Sequence, residues 1–124
     1  MAKVGYICIG TNDFDKATAF YDALFGEIGG KRLMPTPVGV MYRLGSGPMI
    51  MVNRTSNGGP ATFGNGSMVA LEMDSKEQVA MLHAKAIELG GTCEGLPGQR
   101  GPFGEFSYFR DLDGNKIAAY FSGR

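Results

Sequence analysis

The chain matches itself when its second half is slid over its first by 62 residues, half of the 124-residue length. Identity under this shift is low, but the pattern of residue types is kept. Ile7, Ile9 and Thr11 fall on Val69, Leu71 and Met73, the every-second-residue alternation of one strand face. Asp13 falls on Ser75, both residue types favoured at helix N-caps; Ser75-Lys76-Glu77-Gln78 has the spacing of a capping box in which Gln78 reaches back to the cap amide. Ala17, Phe20, Tyr21 and Leu24 then fall on Val79, Leu82, His83 and Ala86, at the i, i+3, i+4, i+7 spacing of an amphipathic helix. Gly29-Gly30 and Gly90-Gly91 close the two units after a one-residue correction, as glycine-rich helix exits do.

Short β-like segments follow each helix: 31–34, 38–44 and 48–54, then 92–94, 105–110 and 116–121. Gly45-Ser46-Gly47 and Asp113-Gly114-Asn115 read as hairpin turns. The order is β-α-β-β-β twice, an α+β fold of two βαβββ modules, about 1–60 and 64–124, joined near Asn57-Gly58-Gly59-Pro60. Each module is too small for a complete core, so the two are expected to share one domain, with helices on one side of their sheets and the other side curled into a cup. The 20 glycines follow no collagen-like period and mark many short connections, not disorder.

With 12 basic against 12 acidic side chains the formal net charge is zero, so steering toward nucleic acid or an anionic membrane is not expected. No apolar run approaches the ~18 residues of a membrane span, and no export signal follows Met1-Ala2-Lys3. The expected location is cytoplasmic, with Cys8 and Cys93 as free thiols. A Walker-type phosphate loop, a dinucleotide fingerprint and a Gly-x-Ser-x-Gly elbow are all missing. Asp111-Leu112-Asp113-Gly114-Asn115 lacks the further acidic ligand of a calcium loop.

Set on this repeat, Gly10-Thr11-Asn12-Asp13 leading to Ala19-Phe20-Tyr21, and Arg110-Asp111-Leu112-Asp113-Gly114-Asn115 near the end, resemble the vicinal oxygen chelate superfamily. That group includes glyoxalase I, bleomycin-resistance proteins, ring-cleaving dioxygenases and fosfomycin-resistance enzymes. The resemblance implies paired modules forming a cup-shaped mixed sheet, and a homodimer. It also implies a divalent metal held in the cup by, typically, two histidines and one or two glutamates. At the positions matching those ligands stand Tyr6, Met68 (Ser67 if the alignment slips by one) and Ala118, and no acidic residue lies between Gly45 and Gly66. A protonated phenol is a poor ligand for a hard divalent ion, a thioether is soft, and alanine cannot coordinate. The single histidine, His83, cannot supply a two-histidine site within one subunit. No metal and no other cofactor is expected. His83 itself reads as a helix residue that packs its ring and turns one nitrogen to water or a backbone group.

Strand alternation places Tyr6, Cys8 and Gly10 on the cup face, together with Met68, Ala70 and Glu72 and with Ala118 and Tyr120. Such a surface, apolar and aromatic with a few polar tips, is that of a small-molecule pocket. Glu72 is a candidate base if its carboxylate is enclosed by Met and Tyr side chains, or else a solvated strand-end residue. Tyr6 is a candidate hydroxyl donor to a substrate oxygen, or a ring that fills the cup. Cys8 has no adjacent His or Lys to activate it and reads as a lining residue. Segment 95–104, rich in Gly and Pro, is expected to be a long ordered loop or lid. Its Arg100 is a candidate to grip a carboxylate or phosphate through two parallel bonds, or else an exposed, solvated arginine, and Tyr108 is a candidate wall or a core-packing ring. The leading expectation is a protein that binds a small organic molecule. The alternative is a glyoxalase-like lyase or isomerase with an unusual metal site or metal-free chemistry based on Glu72 and Tyr6.

Overall fold

Two 13-residue helices begin directly after their caps in a computed structural model that describes residues 1–123: α1 (Phe14–Gly26) after Asp13, and α2 (Lys76–Glu88) after Ser75. Asp13 Oδ1 accepts the Lys16 amide at 3.1 Å, and Ser75 Oγ accepts the Gln78 amide at 3.2 Å. Each cap thus satisfies a donor that has no partner inside its helix. The capping box differs from expectation in one detail. Gln78 Oε1 accepts the amide of Asp74, at 2.8 Å, instead of that of Ser75, because its side chain folds across the strand-to-helix corner one residue further back. Past the helices, Gly29 and Gly90 take φ of +80° and +103°, a region glycine enters without a Cβ clash.

Eight strands complete the order: β1 (Tyr6–Gly10), β2 (Lys31–Pro35), β3 (Gly39–Arg43), β4 (Met49–Asn53), β5 (Val69–Glu72), β6 (Thr92–Gln99), β7 (Glu105–Arg110) and β8 (Lys116–Phe121). The chain divides into two units, one spanning Met1–Thr62 and one beginning at Phe63. The first has the sheet order β1-β4-β3-β2 and the second β5-β8-β7-β6. In both, the strand before the helix pairs parallel with the last strand of the unit, and all other pairs are antiparallel. This is the α+β fold of two βαβββ modules that the repeat implies. A crossover helix returns the chain in the direction a parallel pair needs, and the short turns build the antiparallel remainder.

The helical stripes form the two cores. In the first unit Ala17, Phe20, Tyr21, Leu24 and Phe25 are at most 3% exposed, and the sheet contributes Ile9, Val40, Tyr42, Ile50 and Val52. Rings of Phe20, Tyr21, Phe25 and Tyr42 follow one another at centroid distances of 5.0, 4.9 and 5.2 Å. At the edge of this core the Tyr42 hydroxyl donates to Asp22 Oδ1 at 2.8 Å, and Arg32 donates to both Asp22 oxygens at 2.8 Å. The Arg32 hydrogen bond holds the Asp22 carboxyl below its usual range, and burial pushes the Tyr42 phenol up. In the second unit Val79, Leu82 and Ala86 are fully buried against Leu71, Phe109, Ile117 and Ala119.

The main departure from the sequence reading is segment 95–104, which is not a loop or lid throughout. β6 continues to Gln99, and a 3₁₀ turn, Gly101–Phe103, follows. Gly95, Pro97 and Gly98 fit in a strand here because β6 is the sheet edge and its register to β7 shifts twice, between Cys93 and Gly95 and between Gly95 and Gly98. Edge strands and bulges are where Pro and Gly are accommodated. The Asp111–Asn115 turn is closed by Asp111, whose Oδ1 accepts the amides of Asp113 and Asn115 at 2.9 and 2.8 Å. No helix among the described residues is long and apolar enough to cross a membrane.

Candidate functional site

In the second unit the sheet turns one face to α2 and leaves the other open. Ser107 and Phe109 of β7 are 0% exposed on the helix side, so alternation puts Phe106, Tyr108 and Arg110 on the open face. Across to β8 their partners are Tyr120, Ala118 and Lys116, and across to β5 Ala118 and Tyr120 pair with Ala70 and Glu72. Register then builds an aromatic ladder. Phe106 stacks on Tyr120 at 5.1 Å with 13° between the planes, and on Tyr108 at 6.0 Å with 20°. Two cations border the end ring: Arg100 lies 5.7 Å from the Tyr108 centroid and Lys116 5.2 Å from it. Arg100 Nη2 donates to the Leu96 carbonyl at 2.7 Å, which holds the guanidinium over the bulged end of β6.

The glycines of β6 make room for this arrangement. A Cβ at Gly95 would stand 2.8 Å from Tyr108 Cδ2, and one at Gly98 would stand 2.9 Å from Arg100 Nη1. Ring faces beside two cations, one of them anchored, suit a planar, negatively charged ligand. The rings stack on its plane, and guanidinium and ammonium groups pair with a carboxylate or phosphate.

Of the residues singled out from sequence, Arg100, Tyr108 and Tyr120 meet on this face. Phe106, which joins them, was missed, although it stands two residues before Tyr108 and shares its face by alternation; Lys116 was missed too. Glu72 lies opposite Tyr120 in register but is exposed, without the apolar enclosure on which a base role rests. Met68 precedes β5 and is 46% exposed. Tyr6 and Cys8 lie on one open face of β1, with Ile9 buried beneath. There Cys8, Met51, Met41 and Met34 are successive cross-strand partners through β1, β4, β3 and β2, a row of four sulfur side chains across the first sheet. Thioethers make such a face polarisable and adaptable to ligand shape. Only the register, which the sequence does not print, aligns them.

Among the described residues no three His, Cys, Asp or Glu side chains converge to hold a metal ion. At the positions that the sequence resemblance sets against metal ligands, Ala118 is wholly buried and offers only a methyl group, while Met68 and Tyr6 offer a thioether and a phenol. This donor set does not fit a hard divalent ion. His83 packs its ring edge-on to Phe109, at 6.4 Å and 74°, as expected. Its Nε2 meets Cys93 Sγ at 3.3 Å, a partner that the sequence does not indicate.

The family model described as the Glyoxalase/Bleomycin resistance protein/Dioxygenase superfamily matches residues 3–119. Among solved structures, a glyoxalase/bleomycin resistance protein from Albidiferax ferrireducens T118 is 37% identical, with a TM-score of 0.85 over 94% of this chain and 96% of that one. Two further structures share the fold at 18% identity. They are a lactoylglutathione lyase from Agrobacterium tumefaciens, with a TM-score of 0.73 over 98% of this chain and 94% of that one, and a genomically encoded fosfomycin resistance protein from Listeria monocytogenes, with 0.72 over 98% and 93%. A comparison with curated proteins finds no match.

Proposed function

Because the chain belongs to the glyoxalase/bleomycin resistance protein/dioxygenase superfamily, we propose that it binds a small planar organic anion on the open aromatic face of its second module, without a divalent metal. The carrying observation is the Tyr108 ring, stacked in line with Phe106 and bordered by Arg100 and Lys116. A ligand ring stacks on the exposed part of the ladder while its carboxylate or phosphate pairs with the two cations. Loss of the metal follows from donor chemistry: phenol, thioether and methyl groups stand where imidazole and carboxylate would be needed.

A thermal-shift screen of aromatic carboxylates and phosphates, followed by calorimetric titration of the best binder, tests this reading. A bound ligand raises the unfolding temperature, because it stabilises the folded state alone. Tyr108→Ala and Arg100→Met are each expected to weaken the binder about tenfold to a hundredfold, the range for a lost charge-assisted contact. Affinity unchanged in both variants would place the ligand elsewhere. The rival reading, a glyoxalase-like lyase or isomerase, draws on the position of Glu72 beside Tyr120. It predicts turnover of the hemithioacetal of methylglyoxal and glutathione that Glu72→Gln abolishes. Such turnover, or about one tightly held divalent ion per subunit in protein purified without chelators, would displace the binding reading.

A further inference from the structure

We propose that Cys93 and His83 form a thiol–imidazole pair that makes Cys93 the site at which this chain is modified by soft carbon electrophiles of the α,β-unsaturated carbonyl class. The pair lies on the helix side of the second sheet, because Cys93 is the cross-strand partner of Phe109, and so on the face opposite the aromatic ladder. His83 is only 6% exposed and held edge-on to Phe109, with Nε2 3.3 Å from Cys93 Sγ. Burial disfavours the charged ring, so the imidazole rests neutral and, with Nε2 at the thiol, takes up the proton only as sulfur bonds to carbon.

The cysteine end of the pair lies at the edge of the sheet. Cys93 is exposed, on the edge strand β6, and the register shifts immediately after it. Bulges at sheet edges re-aim side chains in this way. The neighbouring carboxylate does not oppose a developing thiolate, because Glu94 Oε1 accepts from Arg110 Nε at 2.6 Å. A proton acceptor held in the core 3.3 Å from the sulfur of an exposed cysteine is the arrangement of a base-assisted nucleophile.

The reaction is an addition. With the ring proton on Nδ1, Nε2 accepts the thiol proton while Sγ attacks the β-carbon of the electrophile. The new S–C bond forms as the C=C π bond breaks and its electron pair moves onto the carbonyl oxygen. The imidazolium then returns the proton to the α-carbon. Nothing leaves, and no oxidant or reductant is needed.

Cys8 provides an internal reference. It is also exposed, but it stands between Ile7 and Ile9 on β1, and the chain's single histidine is committed to Cys93. The folded 124-residue chain is treated with substoichiometric N-ethylmaleimide at neutral pH, quenched over time, and both thiols are quantified by peptide mapping. Cys93 is expected to react at least about tenfold faster than Cys8, a conservative figure for a positioned base. His83→Gln is expected to bring Cys93 down to the rate of Cys8 and to leave Cys8 unchanged. Equal rates in the folded wild-type protein, or an undiminished Cys93 rate in His83→Gln, would overturn the proposal. If the buried substitution prevents folding, the wild-type protein in denaturing urea takes its place. The rate ratio should fall toward one there, and a ratio that survives unfolding assigns the difference to local sequence and refutes the pair.

Discussion

At the scale of single residues, charge is placed where a partner or burial determines its form. Asp22 is clamped by Arg32 and Tyr42, and the Asp111 carboxylate closes its turn by accepting main-chain amides. His83 is the opposite case, a titratable ring placed where charging it is unfavourable. Its folded proton affinity is lowered by burial, so the unfolded chain binds the proton more readily. Stability is therefore fully present above the ordinary histidine range and is lost as pH falls from ~6.5 through the lower folded value. Urea midpoints measured from pH 8 to pH 5 should decline for the wild-type protein, and His83→Gln should remove part of that slope. A slope identical in both would mean that other groups carry the acid sensitivity. The residue's packing was legible from its place in the helical stripe, but its sulfur partner was not. Cys93 lies ten positions further on, past the helix exit, and only folding brings it alongside.

At the scale of elements, β6 shows how composition misleads. A run of Gly and Pro reads as a loop because those residues weaken a regular ladder, yet an edge strand pairs on one side only and tolerates both when its register slips. The same glycines admit the Tyr108 ring and the Arg100 guanidinium, so they belong to the site. Gly95→Ala is expected to displace Tyr108 and to weaken the ligand identified by the screen by about the same factor as Tyr108→Ala. The accompanying loss of stability, read from urea unfolding, should be about 1–3 kcal/mol, the ordinary range for overpacking. Undiminished affinity would show that the ring position is immaterial. By contrast, the starts of α1 and α2 were readable from their caps, and their buried faces from the stripes, since both signals lie within a few positions of one another.

Considered as a whole molecule, the chain carries large apolar side chains in contact with water: Tyr6 is 54% exposed, and Leu96 and Phe103 are each 71% exposed. The outer strand β2 is blunted by Lys31, Arg32 and Pro35, a pattern that discourages edge pairing. The homodimer expected from the sequence resemblance is therefore a proposal, in which exposed apolar groups elsewhere would be covered by a second copy. Sedimentation at micromolar concentration should give a species of twice 13.2 kDa; a single 13.2 kDa species would refute the dimer. What the order of residues determined alone is whatever depends on near neighbours: the repeat, the caps, the helical stripes, the facing of each strand, and the scarcity of imidazole that argues against a histidine-built metal centre. Tertiary structure decided the rest. Phe106 against Tyr120, Arg100 beside Tyr108, the sulfur row from Cys8 to Met34, and His83 against Cys93 all depend on strand register or helix docking. Alternation tells which way a side chain points, but not which residue of another strand it meets, because that choice is set by the summed pairing of the whole sheet.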